Sequence, residues 1–412
     1  MLQRSRAVSD QNQLAIVNYR KDSYIMVEGQ QKSECFFIIQ QGKVRISRSV
    51  TVEGDEEETL VPGDFFGVAS SMSSMSQIET AFALTDVAAI AVRPSQYAPL
   101  IQKNSKVATK ILMQLSSRLR FLDDVLMSMS IKKGGKPVED GPSRLFDVGE
   151  YYFRQKQRSQ AVYAYAKYLK YCPGGKDSAA AAARLRELAG GAGAAPPERG
   201  KGDLSRTYKK DEVLFAEGEL GDEFFVIQTG SVKISKIIDS KEVLLATLKP
   251  GDIFGEMALL EGKPRAASAL AGEDCAVMAV SKANFEPMIQ AQPQLIARIT
   301  TLLSSRIWFT FKQLEVTLIA NPVGKMYNAL LIQLEKERVS FDSAEPHLFS
   351  ASWSDLVKML GLSEKEGFML MGDLHRDKNI QVREDRVQVG SAQKVVKQAD
   401  IFREIDARKK AK

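Results

Sequence analysis

The chain has 412 residues, which at about one domain per 100–200 residues means two to four domains rather than one. Its 57 Lys plus Arg against 51 Asp plus Glu leave a net charge of +6, and 44% hydrophobic with 26% charged residues is ordinary globular composition, which excludes a disordered or collagen-like chain. Two histidines, His347 and His375, and three scattered cysteines, Cys35, Cys172 and Cys275, argue against clustered zinc sites and His-based acid–base catalysis. The thiols read as plain cysteines of a reduced cytosol.

The first ten residues carry basic side chains with no apolar run behind them, so no secretory signal is expected. No run of about 18 apolar residues occurs either, so no membrane-spanning helix is expected and the protein is assigned to the cytoplasm. From about residue 12, short alternating runs punctuated by Gly29, Gly42 and Gly63 read as strands joined by tight turns. A 3.6-period apolar stretch from Lys106 to Met129 reads as a long helix. Arg144 to Leu188 lacks strand signals. Phe146, Tyr152, Phe153, Ala161, Tyr165, Tyr168 and Leu169 fall on helical spacings before Pro173-Gly-Gly, and a second helix follows from Asp177 to Leu188. This is the pattern of one tetratricopeptide-type hairpin with an adjacent helix. Such repeats stand alone only in threes or more, so the insert is expected to pack on a barrel or on a protein partner. Ala189 to Gly202 is a linker by composition.

After the linker the strand pattern starts again. Val61-Pro-Gly-Asp-Phe-Phe-Gly67 recurs as Lys249-Pro-Gly-Asp-Ile-Phe-Gly255, and Phe36-Phe-Ile-Ile-Gln-Gln-Gly42 as Phe224-Phe-Val-Ile-Gln-Thr-Gly230. Leu115-Ser-Ser-Arg-Leu119 recurs as Leu303-Ser-Ser-Arg-Ile307, and all three matches share one offset of 188 residues. A constant offset means a duplicated domain, so Gly218, Gly230 and Gly251 mark the second set of turns and Pro293 to Ile319 the second long helix. The tail reads as a helix from Lys325 to Lys336, a second element from Trp353 to Leu360, and a helix from Glu364 to about Asp377 with Ser363 and Glu366 forming a capping box. Strands follow at Asn379–Arg383 and Arg386–Val389. Helix, turn, helix and a two-strand ribbon is a winged-helix pattern.

In the second copy, Phe254-Gly-Glu-Met-Ala-Leu-Leu-Glu-Gly-Lys-Pro-Arg-Ala-Ala-Ser268 resembles the phosphate-binding cassette of cyclic-nucleotide-binding domains, as in the catabolite activator protein and protein kinase A regulatory subunits. The resemblance covers roughly residues 204–320. It is physically apt, because an Arg fork at Arg265 meets two oxygens of a singly charged cyclic phosphate with charge-assisted bonds. Backbone N–H groups at Gly255, Glu256, Met257 and Ala258 would add partial positive charge. Ala266, Ala267 and Ser268 let the backbone approach the ligand, and the resemblance implies that Glu256 accepts the ribose 2′-hydroxyl. It also places Thr310 at the adenine, with Trp308 as an aromatic lid, although consecutive helical residues diverge by about 100° and not all of Trp308, Phe309 and Phe311 can face one ligand. The bland alternative for Arg265 and Glu256 is a surface ion pair in a β-turn. Ala266, where cGMP-selective kinases tend to carry Thr, favours cAMP over cGMP. In the first copy the offset puts Val68 at the Glu256 position and Gln77 at the Arg265 position, so that barrel is expected to keep the fold without binding a cyclic nucleotide tightly.

Winged helices behind such a barrel resemble the catabolite activator family of transcription regulators, which place the second helix in the major groove. Here, however, Ser352 to Asp377 carries three positive and five negative charges, and an acidic reading element is poorly suited to phosphates. The expected architecture is α+β and multidomain. It comprises a degenerate jelly-roll-like β-barrel at 1–135, a helical insert at 140–190, a linker at 191–203, a cyclic-nucleotide-binding β-barrel at 204–320 and a winged-helix-like tail with a basic end at 321–412. The expected function is a non-enzymatic cytoplasmic receptor for cAMP, with cGMP as the alternative ligand and no metal. Binding would be transmitted through the long helix to the tail. The alternative is a cAMP-controlled DNA-binding transcription regulator, and the chain is expected as a monomer or a homodimer.

Overall fold

The computed structural model describes residues 14–30, 34–50, 57–130, 141–189, 205–238, 241–374 and 379–410; the expected linker at 191–203, His375 and Asp377 lie outside the described residues. The chain is α+β, and its two strand-rich segments repeat one design. In the first copy one antiparallel sheet orders Ala15–Tyr19, Val87–Val92, Phe36–Gln41 and Phe65–Phe66, and a second orders Tyr24–Met26, Thr80–Ala83, Val44–Ser47 and Glu58–Leu60. The second copy orders Ser205–Tyr208, Cys275–Ser281, Glu223–Thr229 and Ile253–Phe254 in one sheet, and Val213–Phe215, Ser268–Ala271, Val232–Ile238 and Lys241–Leu248 in the other. Apart from the pair Val44–Ser47 with Glu58–Leu60 and its counterpart Val232–Ile238 with Lys241–Leu248, spatial neighbours are not sequence neighbours, which makes this a jelly roll rather than a meander. Alternating side chains fill the space between the sheets. Phe37 lies opposite Phe66 with rings stacked at 5.2 Å, and their counterparts Phe225 and Phe254 stack at 5.3 Å. The six punctuating glycines all take positive φ, the backbone conformation that favours glycine.

The first copy contains the short helix α1 (Val68–Ser73) and is followed by α2 (Pro94–Lys103) and α3 (Ser105–Ser130). The insert comprises α4 (Arg144–Arg154), α5 (Arg158–Tyr171) and α6 (Ser178–Ala189). The second copy contains α7 (Glu256–Glu261) and leads into α8 (Lys282–Ala291) and α9 (Pro293–Thr317). The tail holds α10 (Pro322–Lys336), α11 (Trp353–Met359), α12 (Glu364–Leu374) and α13 (Ala392–Lys410), with a three-stranded sheet ordered His347–Ser352, Arg386–Val389, Ile380–Arg383. Asn321 starts α10 by accepting from the Val323 and Gly324 amides, and the Ser363–Glu366 capping box forms as read, the Ser363 amide donating to Glu366 at 2.8 Å. Among the described residues no helix is long and apolar enough to cross a membrane, and none of the three cysteines forms a disulfide.

Two compact units result. One holds Met1–Tyr97, Phe121–Ser130 and Leu303–Lys412; the other holds Ala98–Arg120 and Ile131–Leu302. Boundaries fall inside α2, α3 and α9, and each unit combines the barrel of one copy with part of the long helix of the other. Within the second unit the insert is docked on its barrel. Leu145, Val148, Tyr152, Ala164 and Tyr165 share one core with Ala216 and Ile237 of the barrel. Within the first unit, α13 packs on α10, with Phe402 stacked on Tyr327 at 6.0 Å and Arg403 Nε donating to Asn328 Oδ1 at 2.6 Å.

Candidate functional site

The cassette of the second copy runs from the strand Ile253–Phe254 through Gly255 and α7 to Arg265 and the strand Ser268–Ala271. Gly255 turns the chain with φ 76° and caps α7. Arg265 leaves the turn pointing into the barrel, where it is only 6% exposed. Its Nη1 donates to the Gly255 carbonyl and its Nη2 to the Glu223 carbonyl at 2.7 Å. The guanidinium lies over Phe215, 4.2 Å from the ring centroid, a favourable place for a cation. Nε is buried and has no hydrogen-bond partner. A guanidinium held by carbonyls and aromatic faces, with its Nε unbonded, is suited to an anion, since an unmade buried bond costs about 1–3 kcal/mol. Burial pushes the Arg265 guanidinium below its ordinary range, and the charge of Glu219 opposes that most, ahead of Tyr163 and Glu256.

Two glycines make the space. A Cβ on Gly221 would come to 2.4 Å from the Arg265 guanidinium, and one on Gly255 to 2.6 Å from its Nη1. Glu256 is 2% exposed, so the surface-pair alternative for Arg265 and Glu256 does not describe either side chain. Ala258 is buried, and Met257, Ala266 and Ala267 are half-buried along the cassette. Ser268 is buried, and its hydroxyl accepts the Glu217 amide at 2.9 Å, so it ties the cassette to the neighbouring loop rather than facing a ligand.

Trp308 and Thr310 belong elsewhere. The register of α9 passes from one unit to the other at Leu303, so both residues lie in the unit of the first barrel. Trp308 is fully buried there, its Nε1 donating to the Ser76 carbonyl at 3.0 Å. Thr310 donates to Asp123 Oδ1 at 3.4 Å. With its indole N–H committed to Ser76, Trp308 is not a lid for the second cassette, and the assignment of both residues to the purine is corrected accordingly. The helix position that meets the second cassette is Arg120 of α3, whose Nη1 donates to the Pro264 carbonyl at 3.4 Å.

The first copy shows what loss of the charged anchors leaves. Val68 and Gln77 are buried at the Glu256 and Arg265 positions. Glu79, at the Ala267 position, accepts the Gly67 amide at 2.7 Å and pairs with Arg48 at 3.1 Å. The carboxylate of Glu335 takes the Ser76 amide at 2.5 Å and the Ser76 hydroxyl at 3.1 Å. In this turn the chain's own carboxylates take the Gly67 amide and the Ser76 amide and hydroxyl.

Sequence reading missed Gly221, Glu219, Arg120 and the insert residues Tyr163 and Lys167. A signal for Gly221 was available, because the offset places Ser33 opposite it in the copy that lacks the arginine. Among the described residues no group of three or more His, Cys, Asp or Glu is arranged to hold a metal ion.

The cyclic nucleotide-binding domain family matches the chain twice, at residues 16–104 and 205–292. The cyclic AMP receptor protein of Thermus thermophilus is 29% identical over 127 residues, 31% of this chain and 59% of that protein. The CRP-like cAMP-activated global transcriptional regulator of Mycobacterium tuberculosis is 21% identical over 193 residues, 47% of this chain and 86% of that one. Among solved structures, the catabolite activator protein of Thermus thermophilus is 24% identical, with a TM-score of 0.27, over 48% of this chain and 90% of that chain. The regulatory domain of Toxoplasma gondii PKA with cAMP is 17% identical, with a TM-score of 0.21, over 70% of this chain and 85% of that chain. The chain thus spans 59% of the length of the Thermus relative.

Proposed function

Since residues 16–104 and 205–292 are two cyclic nucleotide-binding domains, we propose that the chain is a cytoplasmic, non-enzymatic receptor in which the second copy alone binds a cyclic nucleotide, cAMP in preference to cGMP. The observation that carries this reading is the buried Arg265 fork with its unspent Nε inside a cradle kept open by Gly221 and Gly255. One oxygen of the cyclic phosphate takes Nε, and the guanidinium supplies the opposing charge. Glu256 is the acceptor for the ribose hydroxyl. The first copy has neither charged anchor and serves as scaffold. Ligand binding reports outward through α9, which leaves the binding unit at Leu303 and runs into α10. A ligand that favours one placement of this helix shifts the tail by the difference in its affinities for the two placements.

The tail supports a second reading. Helix, strand, two helices and a two-strand ribbon in 322–389 follow the order of a winged helix, and several relatives are transcriptional regulators by name. A cAMP-controlled DNA-binding regulator follows from that. Against it, α12 presents Phe368 and Met369 to solvent, 77% and 55% exposed, in a stretch of net negative charge. Such a surface suits a protein contact better than phosphates.

Calorimetry of the full chain with cAMP and cGMP tests the site. One site per chain that Arg265→Ala abolishes is expected, whereas two equal sites or binding that survives the substitution refutes it. A nucleotide-dependent, salt-sensitive mobility shift with duplex DNA would promote the second reading over the first.

A further inference from the structure

The loop between Phe215 and Glu223 shapes the surroundings of Arg265 from two sides. Its backbone brackets the arginine, because the Arg265 amide donates to the Glu219 carbonyl at 2.8 Å and the Gly218 amide to the Arg265 carbonyl at 2.9 Å. Its Gly221 leaves room for the guanidinium. The side chain of Glu219 is turned the other way, into the insert. One of its oxygens accepts Lys167 Nζ at 2.6 Å, and the other accepts the Tyr163 hydroxyl at 2.9 Å and the Ala216 amide at 3.0 Å. Both insert donors come from α5, four residues apart and so on one helix face. A second tie holds the same loop: Arg144 of α4 pairs with Glu217 at 3.3 Å, and the Glu217 amide donates to Ser268 of the cassette.

We propose that the helical insert is a working part of the nucleotide site, in which Tyr163 and Lys167 are positioning residues that set the place and the electrostatic surroundings of Arg265 through Glu219. Lys167 pairs with the Glu219 carboxylate, so that carboxylate offsets less of the positive charge of the buried guanidinium and leaves more of it for a cyclic phosphate. Tyr163 fixes where that carboxylate sits. Without Lys167, Glu219 is a buried anion without its counter-ion, on the very residue whose carbonyl brackets Arg265, and it draws on the same guanidinium that the ligand needs. Burial and the adjacent Glu219 charge push the Tyr163 hydroxyl well above its ordinary range, so it stays a donor at every physiological pH.

This inference rests on the reading of Arg265 as the phosphate anchor, and the experiment separates the two. Calorimetry of the full-length chain with cAMP is run for the wild type, Arg265→Ala, Lys167→Met, Lys167→Arg, Tyr163→Phe and Arg184→Met. Arg184 pairs with Glu150 inside the insert and touches neither the loop nor the cassette, so its substitution reports on the insert's own packing. Expected are affinities weakened about tenfold by Lys167→Met and by Tyr163→Phe. Lys167→Arg should restore binding to within about twofold of wild type, because it returns the charge. Arg184→Met should leave the affinity unchanged. Wild-type affinity in Lys167→Met and Tyr163→Phe, or an equal loss in Arg184→Met, overturns the inference while Arg265 stands as the anchor. A wild-type chain that binds neither cAMP nor cGMP overturns the reading beneath it.

Discussion

Gly221→Ala isolates the geometry of the site from its chemistry. The added methyl carbon would stand 2.4 Å from Cζ, Nε and Nη2 of Arg265, where ordinary contact begins at 3.4 Å, so the fork must retreat by about 1 Å. That retreat carries Nη2 from its 2.7 Å bond to the Glu223 carbonyl out to the limit of hydrogen bonding. A charge-assisted bond of this kind contributes about 1.5–3 kcal/mol, so displacing the fork weakens cyclic-nucleotide affinity by roughly ten- to hundredfold. The backbone at Gly221 is not in the left-handed region. Alanine therefore fits the chain itself and favours the folded state by about 0.4–1 kcal/mol through the unfolded ensemble. The expected signature is a large rise in Kd by calorimetry together with a ligand-free stability lowered by about 0.5–2.6 kcal/mol, the lost bond less the backbone gain. Wild-type affinity in Gly221→Ala would refute the placement of the guanidinium against this loop.

Three further outcomes are expected. Trp308→Phe removes the donor to Ser76 and leaves a buried carbonyl unpaired, lowering the stability of the first unit by about 1–3 kcal/mol in denaturant titrations, while calorimetric affinity for cAMP at the second copy stays within about twofold. Glu335→Ala frees the Ser76 amide and hydroxyl and should raise hydrogen exchange at residues 74–78; unchanged protection would count against the contact. Burial opposes ionisation of Glu337, but bonds from the Ser350 hydroxyl, His347 and the Ser350 amide outweigh it and hold the carboxyl below its ordinary 4.5. The stability this contributes is therefore present above pH 4.5 and lost as the pH falls through the lower folded value. Glu337→Gln should flatten the acid side of the stability profile, and an unaltered slope would exclude the group as its source.

The duplication was legible because each matched segment combines a turn that needs glycine with strands that need alternation, and two such sets at one offset fix both barrels. The cassette was legible for the same reason, since Gly255, Glu256 and Arg265 are tied to one turn. Strand His347–Ser352 was missed because the polar His347-Leu-Phe-Ser-Ala-Ser mixture carries no clear period. Helix α13 was missed because Lys394, Lys397 and Asp400 interrupt its apolar positions, and it is held by packing on α10 rather than by its own pattern. The destination of α9 was not legible at all. An amphipathic helix shows that it has a buried face but not which barrel buries it, and that is why Trp308 was assigned to the wrong cassette. The role of the insert was hidden likewise, because Tyr163 and Lys167 act on a loop fifty residues downstream and neither pairing leaves a local signature.

The long helices show what a fused duplicate allows. In the second unit Arg120 of α3 bonds the Pro264 carbonyl, immediately before Arg265; in the first unit Trp308 of α9 bonds the Ser76 carbonyl, immediately before Gln77. Both the donors and the acceptors are separated by the repeat offset of 188 residues, so the same helix-to-turn contact occurs twice with different chemistry. Where the cassette has its arginine, the helix brings a second cation to the residue before Arg265. Where Gln77 stands in its place, the helix brings a large ring against the turn, and Glu335 accepts the Ser76 amide and hydroxyl. An oligomer of identical chains repeats each substitution in every copy, so it cannot seal one cassette without sealing the other. Joining the copies in one chain removes that constraint, and here Arg120 stands at the cassette that has Arg265 while Trp308 stands at the turn that has Gln77.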